Sequence, residues 1–148
     1  MSHEARLTER GIELPPAPMP VATYVPAVQT GNLLFVSGQI PPGMVRGTLG
    51  DDLSVAEGAA AARGCGLAIL AQARAALGSL DRVTRVVKLT GWVNSTADFT
   101  DQPEVVNGAS DLMVEVFGDA GRHARAAVSA PALPRGVAVE VDAVFEVR

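Results

Sequence analysis

Two charged residues stand inside apolar runs near the end of the chain. Arg125 heads "ARAAVSAPAL", and Glu140 interrupts "GVAVEVDAVFEV". Basic and acidic side chains rarely enter apolar surroundings unpaired. If the strand carrying Arg125 lines a cleft, its guanidinium holds a substrate carboxylate through two parallel bonds, supplying both charge and orientation. The plainer alternative is an edge-strand arginine reaching solvent. Glu140, if partly buried, polarises a water or takes a substrate proton; otherwise it is a solvated outer-face carboxylate. In one pocket each would stabilise the other's charged form, and we read the two as members of one site.

Other side chains offer less. Tyr24, the only tyrosine, either carries a hydroxyl into a cleft or anchors a surface segment through its amphipathic ring. Ser37, before Gly38, is a hydroxyl donor at a strand end or simple turn chemistry. Asn107, with Asn94 as its alternative, is a weaker binding candidate. His123 titrates near neutrality if it has a partner, and is a loop or packing residue if it has none. Cys65, between Gly64 and Gly66, reads as a small buried apolar group, and Trp92 as core.

Composition limits what such residues can serve. At 148 residues with 48% hydrophobic positions, the chain suits one domain with a sizeable core. A net charge of −4 disfavours holding a nucleic-acid backbone by bulk electrostatics. A single cysteine and two distant histidines provide neither an internal disulfide nor zinc spacing. The N-terminal segment has charges scattered through it, and no stretch reaches the roughly 20 apolar residues of a membrane span. These features predict a cytoplasmic protein without membrane contact. Phosphate-loop, dinucleotide, zinc-protease and serine-hydrolase motifs are all missing.

The elements that must position these residues follow from pattern. Prolines at 15, 16, 18 and 20 make residues 1–22 an extended strap. "GNLLFVSGQIPPG" predicts a strand from about Asn32 to Ile40. Ser54 and Glu57 form a capping box for a helix running to about Leu77, where Gly78 stops it. Residues 82–94 are rich in β-branched side chains and predict a second strand. A second helix follows, with Asp101 as cap, Pro103 in the first turn and Glu104 as the returning carboxylate. Its apolar stripe is Val105, Ala109, Leu112 and Val116, with Val106, Met113 and Phe117 beside them, and Gly118 ends it. The closing run alternates from Val137 to Val147, turning Glu140 and Asp142 away from the core. The order strand, strand, helix, strand, helix, strand, strand predicts an α+β sandwich with two helices on one face of a sheet.

Taken together, "GNLLFVSGQIP" and "ARAAVSAPALPRGVAVEVDAV", separated by two helices and a valine-rich strand, resemble the RidA/YjgF family of reactive-intermediate deaminases over residues 20–148. The resemblance implies a chorismate-mutase-like fold with a mixed sheet, and a homotrimer with ligand clefts at the subunit interfaces. It also implies hydrolysis of enamines and imines, such as 2-aminoacrylate and 2-iminopropanoate, to a 2-oxo acid and ammonia without cofactor or metal. On this basis Arg125 matches the residue that grips the substrate carboxylate and Glu140 the residue that orients the attacking water. Tyr24 matches the tyrosine entering the cleft, Ser37 the serine of S-G-Q, and Asn107 the substrate-binding asparagine. Ala126 and Ala127 stand where the family often has serine and cysteine, and Phe99 precedes Asn107 by eight residues rather than four. A non-catalytic trimer that binds small carboxylate metabolites is the alternative reading. An endoribonuclease is disfavoured, because acidic charge and few aromatic residues suit RNA poorly.

Overall fold

The computed structural model describes residues 1–20 and 22–148. Five strands form one sheet: β1 (Ala27–Thr30), β2 (Leu33–Gln39), β3 (Val83–Asn94), β4 (Ala124–Ala130) and β5 (Val139–Val147), in the order β1-β2-β5-β3-β4. The central place of β5 follows from its pattern, since Val139, Val141, Ala143, Phe145 and Val147 are all buried and alternate with half-buried residues. Neighbouring strands are antiparallel except β3 and β4, whose parallel pairing needs a long crossover. The crossover contains helix α3 (Gln102–Phe117).

Helix α2 (Val55–Leu77) starts as the sequence predicts. Ser54 Oγ accepts from the Glu57 amide at 3.1 Å, and the Glu57 carboxylate accepts from the Ser54 amide at 3.0 Å. Gly78 closes it in the left-handed conformation. Small residues let α2 approach its neighbours: a Cβ on Gly108 of α3 would collide with the Ala59 carbonyl, and one on Gly66 would meet Leu112. The predicted α3 stripe is buried throughout. Both helices cover the face of the sheet that carries Phe145 and Leu89.

Four expectations are corrected. The segment 1–22 is not extended throughout, because His3–Glu9 form a third helix, α1, capped by the Ser2 hydroxyl. The helix count rises from two to three because Leu7 is buried and Glu4 accepts from Arg74 and the Leu80 amide. Residues 12–20, which carry the four prolines, have no regular structure; Val21 lies outside the described residues. Asp101 makes no capping bond with its side chain, its backbone being far from extended, so no capping box forms on α3. Trp92 is not core: it pairs with Glu140 on the face opposite the helices and is half-buried. Finally, strand alternation starts at Val139, and Ala138, expected to face outward, is fully buried.

Candidate functional site

The predicted site residues form two clusters. In the first, Arg125 on edge strand β4 lies beside the buried Leu89 and so projects toward the helices. Its Nη1 donates to Asn107 Oδ1 at 2.7 Å and to Ser110 Oγ at 3.2 Å. Asn107 and Ser110 are three residues apart on α3 and share one face. Phe99, eight residues before Asn107, lies in the loop that leads into α3. Among the described residues, no carboxylate pairs with Arg125, and its Nε and Nη2 make no hydrogen bond. One planar edge of the guanidinium is thus free for an anion.

His123 joins this cluster. Its Nδ1 lies 2.7 Å from the Gly121 carbonyl, which can only accept, so Nδ1 carries a proton. In the neutral ring, Nε2 then accepts from the Ser110 hydroxyl at 2.9 Å. Burial holds the imidazole below its ordinary pKa, the nearby Arg125 charge adds to this, and the Gly121 bond opposes it. Sequence alone offers His123 no evident partner and gives Ser110 no distinguishing feature beyond its three-residue spacing from Asn107.

The second cluster surrounds a cavity of about 590 Å³ lined by Tyr24, Gly38 and Glu140, among others. Glu140 is half-buried on the face opposite the helices. Burial pushes its carboxyl above the usual carboxylate pKa, and the neighbouring Asp142 pushes it further. Its carboxylate lies over Gly38, where a Cβ would clash with it. A shift in register between Val36 and Gln39 reshapes β2 at this point. The Ser37 hydroxyl donates to the Val25 carbonyl at 2.8 Å and braces the segment that carries Tyr24. Gln39, Gln72 and Arg135 also line the cavity, and nothing in the sequence distinguishes them as site residues. Buried glutamines have no sequence signature distinct from exposed ones.

The remaining candidates are structural. Asn94 is buried and donates to the Gly47 and Val137 carbonyls. Cys65 is buried beside the Val139 carbonyl, and desolvation, with the Glu140 charge adding, pushes its thiol far above the ordinary value. Among the described residues, no group of three or more His, Cys, Asp or Glu side chains is placed to hold a metal ion. Among the described residues, no helix is long and apolar enough to cross a membrane.

Arg125 and Glu140 therefore do not meet within one chain. Arg125 projects to the helix-covered side at the sheet edge, and Glu140 to the open side near its centre. The open side also exposes Phe35 and Val128, each 43% accessible.

Comparison with known proteins gives a consistent result. The family model described as "YjgF/chorismate_mutase-like, putative endoribonuclease" matches residues 4–146. Protein TCP17 of Trypanosoma cruzi is 54% identical over 96% of this chain and 92% of its own. The crystal structure of Atu1372 from Agrobacterium tumefaciens, of unknown function, superposes with a TM-score of 0.90 at 48% identity, covering 99% of this chain and 92% of that one. TdcF of E. coli, solved with bound serine, superposes with a TM-score of 0.63 at 27% identity, over 89% and 93%.

Proposed function

The chain belongs to the RidA/YjgF family, and from that premise we propose that it hydrolyses small 2-imino acids to 2-oxo acids and ammonia in clefts shared between copies of a homotrimer. The observation that carries this reading is Arg125, pinned by Asn107 and Ser110 with one edge unused. A guanidinium held in this way binds a carboxylate with little loss of freedom. A small carboxylate ligand also accords with the serine bound to TdcF. The apolar open face carrying Phe35 and Val128 offers a surface for association. Association there brings the Arg125 edge of one copy to the Glu140 cavity of another.

The chemistry then requires few groups. The imine carbon is electrophilic, and Arg125 fixes the adjoining carboxylate. With the imine nitrogen protonated, Glu140 takes a proton from water as the water oxygen bonds to the iminium carbon, giving a neutral tetrahedral amino alcohol. The protonated Glu140 passes its proton to the amino nitrogen. The C–N bond then breaks as Glu140 takes the hydroxyl proton and the oxygen becomes the carbonyl. That proton leaves with the ammonia as ammonium, which returns Glu140 to its ionised form. A carboxyl with a raised pKa suits both steps near neutrality. Tyr24, in the same cavity, is the hydroxyl nearest to hand for the substrate nitrogen, and Ser37 acts by bracing it.

The second reading, a non-catalytic carboxylate-binding trimer, is favoured by Ala126 and Ala127, which leave no hydroxyl or thiol next to Arg125. An assay decides between them. An amino-acid oxidase generates 2-imino acids, and release of oxo acid is followed with and without the protein. Acceleration supports the deaminase; binding of oxo acids with no acceleration supports the second reading.

A further inference from the structure

The cavity beside Glu140 is much larger than the methyl group of 2-iminopropanoate requires. Its volume, about 590 Å³, lies within the range of roughly 300–1,000 Å³ typical of small-molecule sites. Three features show that the space is built into the fold. Its roof is formed by Pro18, Met19 and Pro20 of the strap, whose prolines fix backbone angles and reduce the entropy lost in holding one shape. Upstream the strap is tied by α1, whose Glu4 pairs with Arg74 at 2.8 Å. Gln72 of α2, only 3% exposed, donates from Nε2 both to the Pro18 carbonyl and to Gln39 Oε1, and Gln39 donates to the Ser37 carbonyl at 3.0 Å. This chain of buried amides joins roof, helix and β2, and buried amides are tolerated only when so bonded.

The third feature is backbone strain. Met44 and Arg135 are the two non-glycine residues with positive φ among the described residues, at 57° and 59°, and both line this cavity. Such conformations are unfavourable for L side chains and persist where the surrounding structure imposes them.

We infer that the strap-roofed cavity is a subsite for a branched aliphatic or aromatic substrate side chain, and that Gln72 is the positioning residue that holds its roof. The inference rests on the deaminase reading for the place of Glu140 beside the reacting carbon. Pro18, Met19, Ile40 and Met44 present no charge to such a group. Gln72 Nε2 already donates to Pro18 and Gln39, so it is not free to bond a substrate side chain. Arg135, which also lines the cavity, is exposed.

The test is calorimetric titration of the whole protein with pyruvate, the leucine-derived oxo acid and phenylpyruvate. These product analogues differ only in their side chains. The two larger acids should bind about tenfold or more tightly than pyruvate, as hydrophobic pockets discriminate. Gln72→Ala should reduce that ratio several-fold and leave pyruvate binding unchanged. Ile40→Phe, on a wall from a different segment, should exclude phenylpyruvate and spare pyruvate. Equal affinities for all three, ratios unchanged in both variants, or no binding of any overturns the subsite. Binding needs no turnover, so the two readings separate. Side-chain preference without accelerated imine decay keeps the subsite and removes the deaminase, whereas acceleration without side-chain preference does the reverse.

Discussion

At the scale of single residues, the account depends on what Arg125 and Glu140 each do. Arg125→Ala should lower kcat/KM for 2-imino acids by about 10²-fold or more, since a charge-assisted bidentate contact is lost, and should leave the melting temperature nearly unchanged. Glu140→Gln should reduce kcat far more than affinity for an oxo acid; equal losses in both would make Glu140 a structural residue. Activity should also fall on the acid side at a pH above the ordinary carboxylate range, because burial and Asp142 raise the Glu140 pKa and only its ionised form accepts the water proton. A rate profile that stays flat down to that ordinary range would contradict the assignment. His123 gives a stability prediction of known sign. Its folded pKa lies below the ordinary value of 6.5, so the unfolded chain binds more protons in the window between the two. The contribution is complete above about 6.5 and is lost as pH falls through the lowered value. Thermal melts of His123→Gln should therefore vary less between neutral and mildly acid pH than those of the native protein. Arg125 and Glu140 were legible in the sequence because a charge in an apolar run is conspicuous. Ser110 and Gln72 were not, since a serine or glutamine on a helix looks alike whether its partner is solvent or a buried group.

At the scale of elements, close approach is the theme. Glu140 occupies the space that a side chain at position 38 would need. Gly38→Ala should thus displace the carboxylate and lower turnover with a smaller change in stability, checked by comparing kinetics with thermal melts. Gly108→Ala should be a folding mutant, destabilising by roughly 1–3 kcal/mol or more through overpacking of α3 against α2, as urea titration would measure. Most of the elements could be read from their patterns: the Ser54 box, the α3 stripe and the β5 alternation each rest on local chemistry. Helix α1 could not. Seven residues form no stable helix alone, and this one depends on distant partners, Arg74, Leu80 and Val83, that no local pattern reveals. Trp92 was misassigned for a related reason, since β-branched runs do not tell which face the helices will cover.

At the scale of the whole molecule, the sheet separates the two clusters that the sequence reading had joined. The free guanidinium edge and the Glu140 cavity lie on opposite faces, and the apolar open face lies between copies in the proposed trimer. Sequence alone does not show this, because no local pattern tells which face of the sheet the helices cover. The most direct test of a shared cleft is complementation. Arg125→Ala and Glu140→Gln proteins, each inactive alone, are mixed, dissociated and reassembled. A heterologous interface then restores an intact cleft wherever an Arg125 from one variant faces a Glu140 from the other, so about one quarter of native activity should return. Activity that stays at the level of the separate variants, in mixed assemblies confirmed by mass, would contradict a site built across copies.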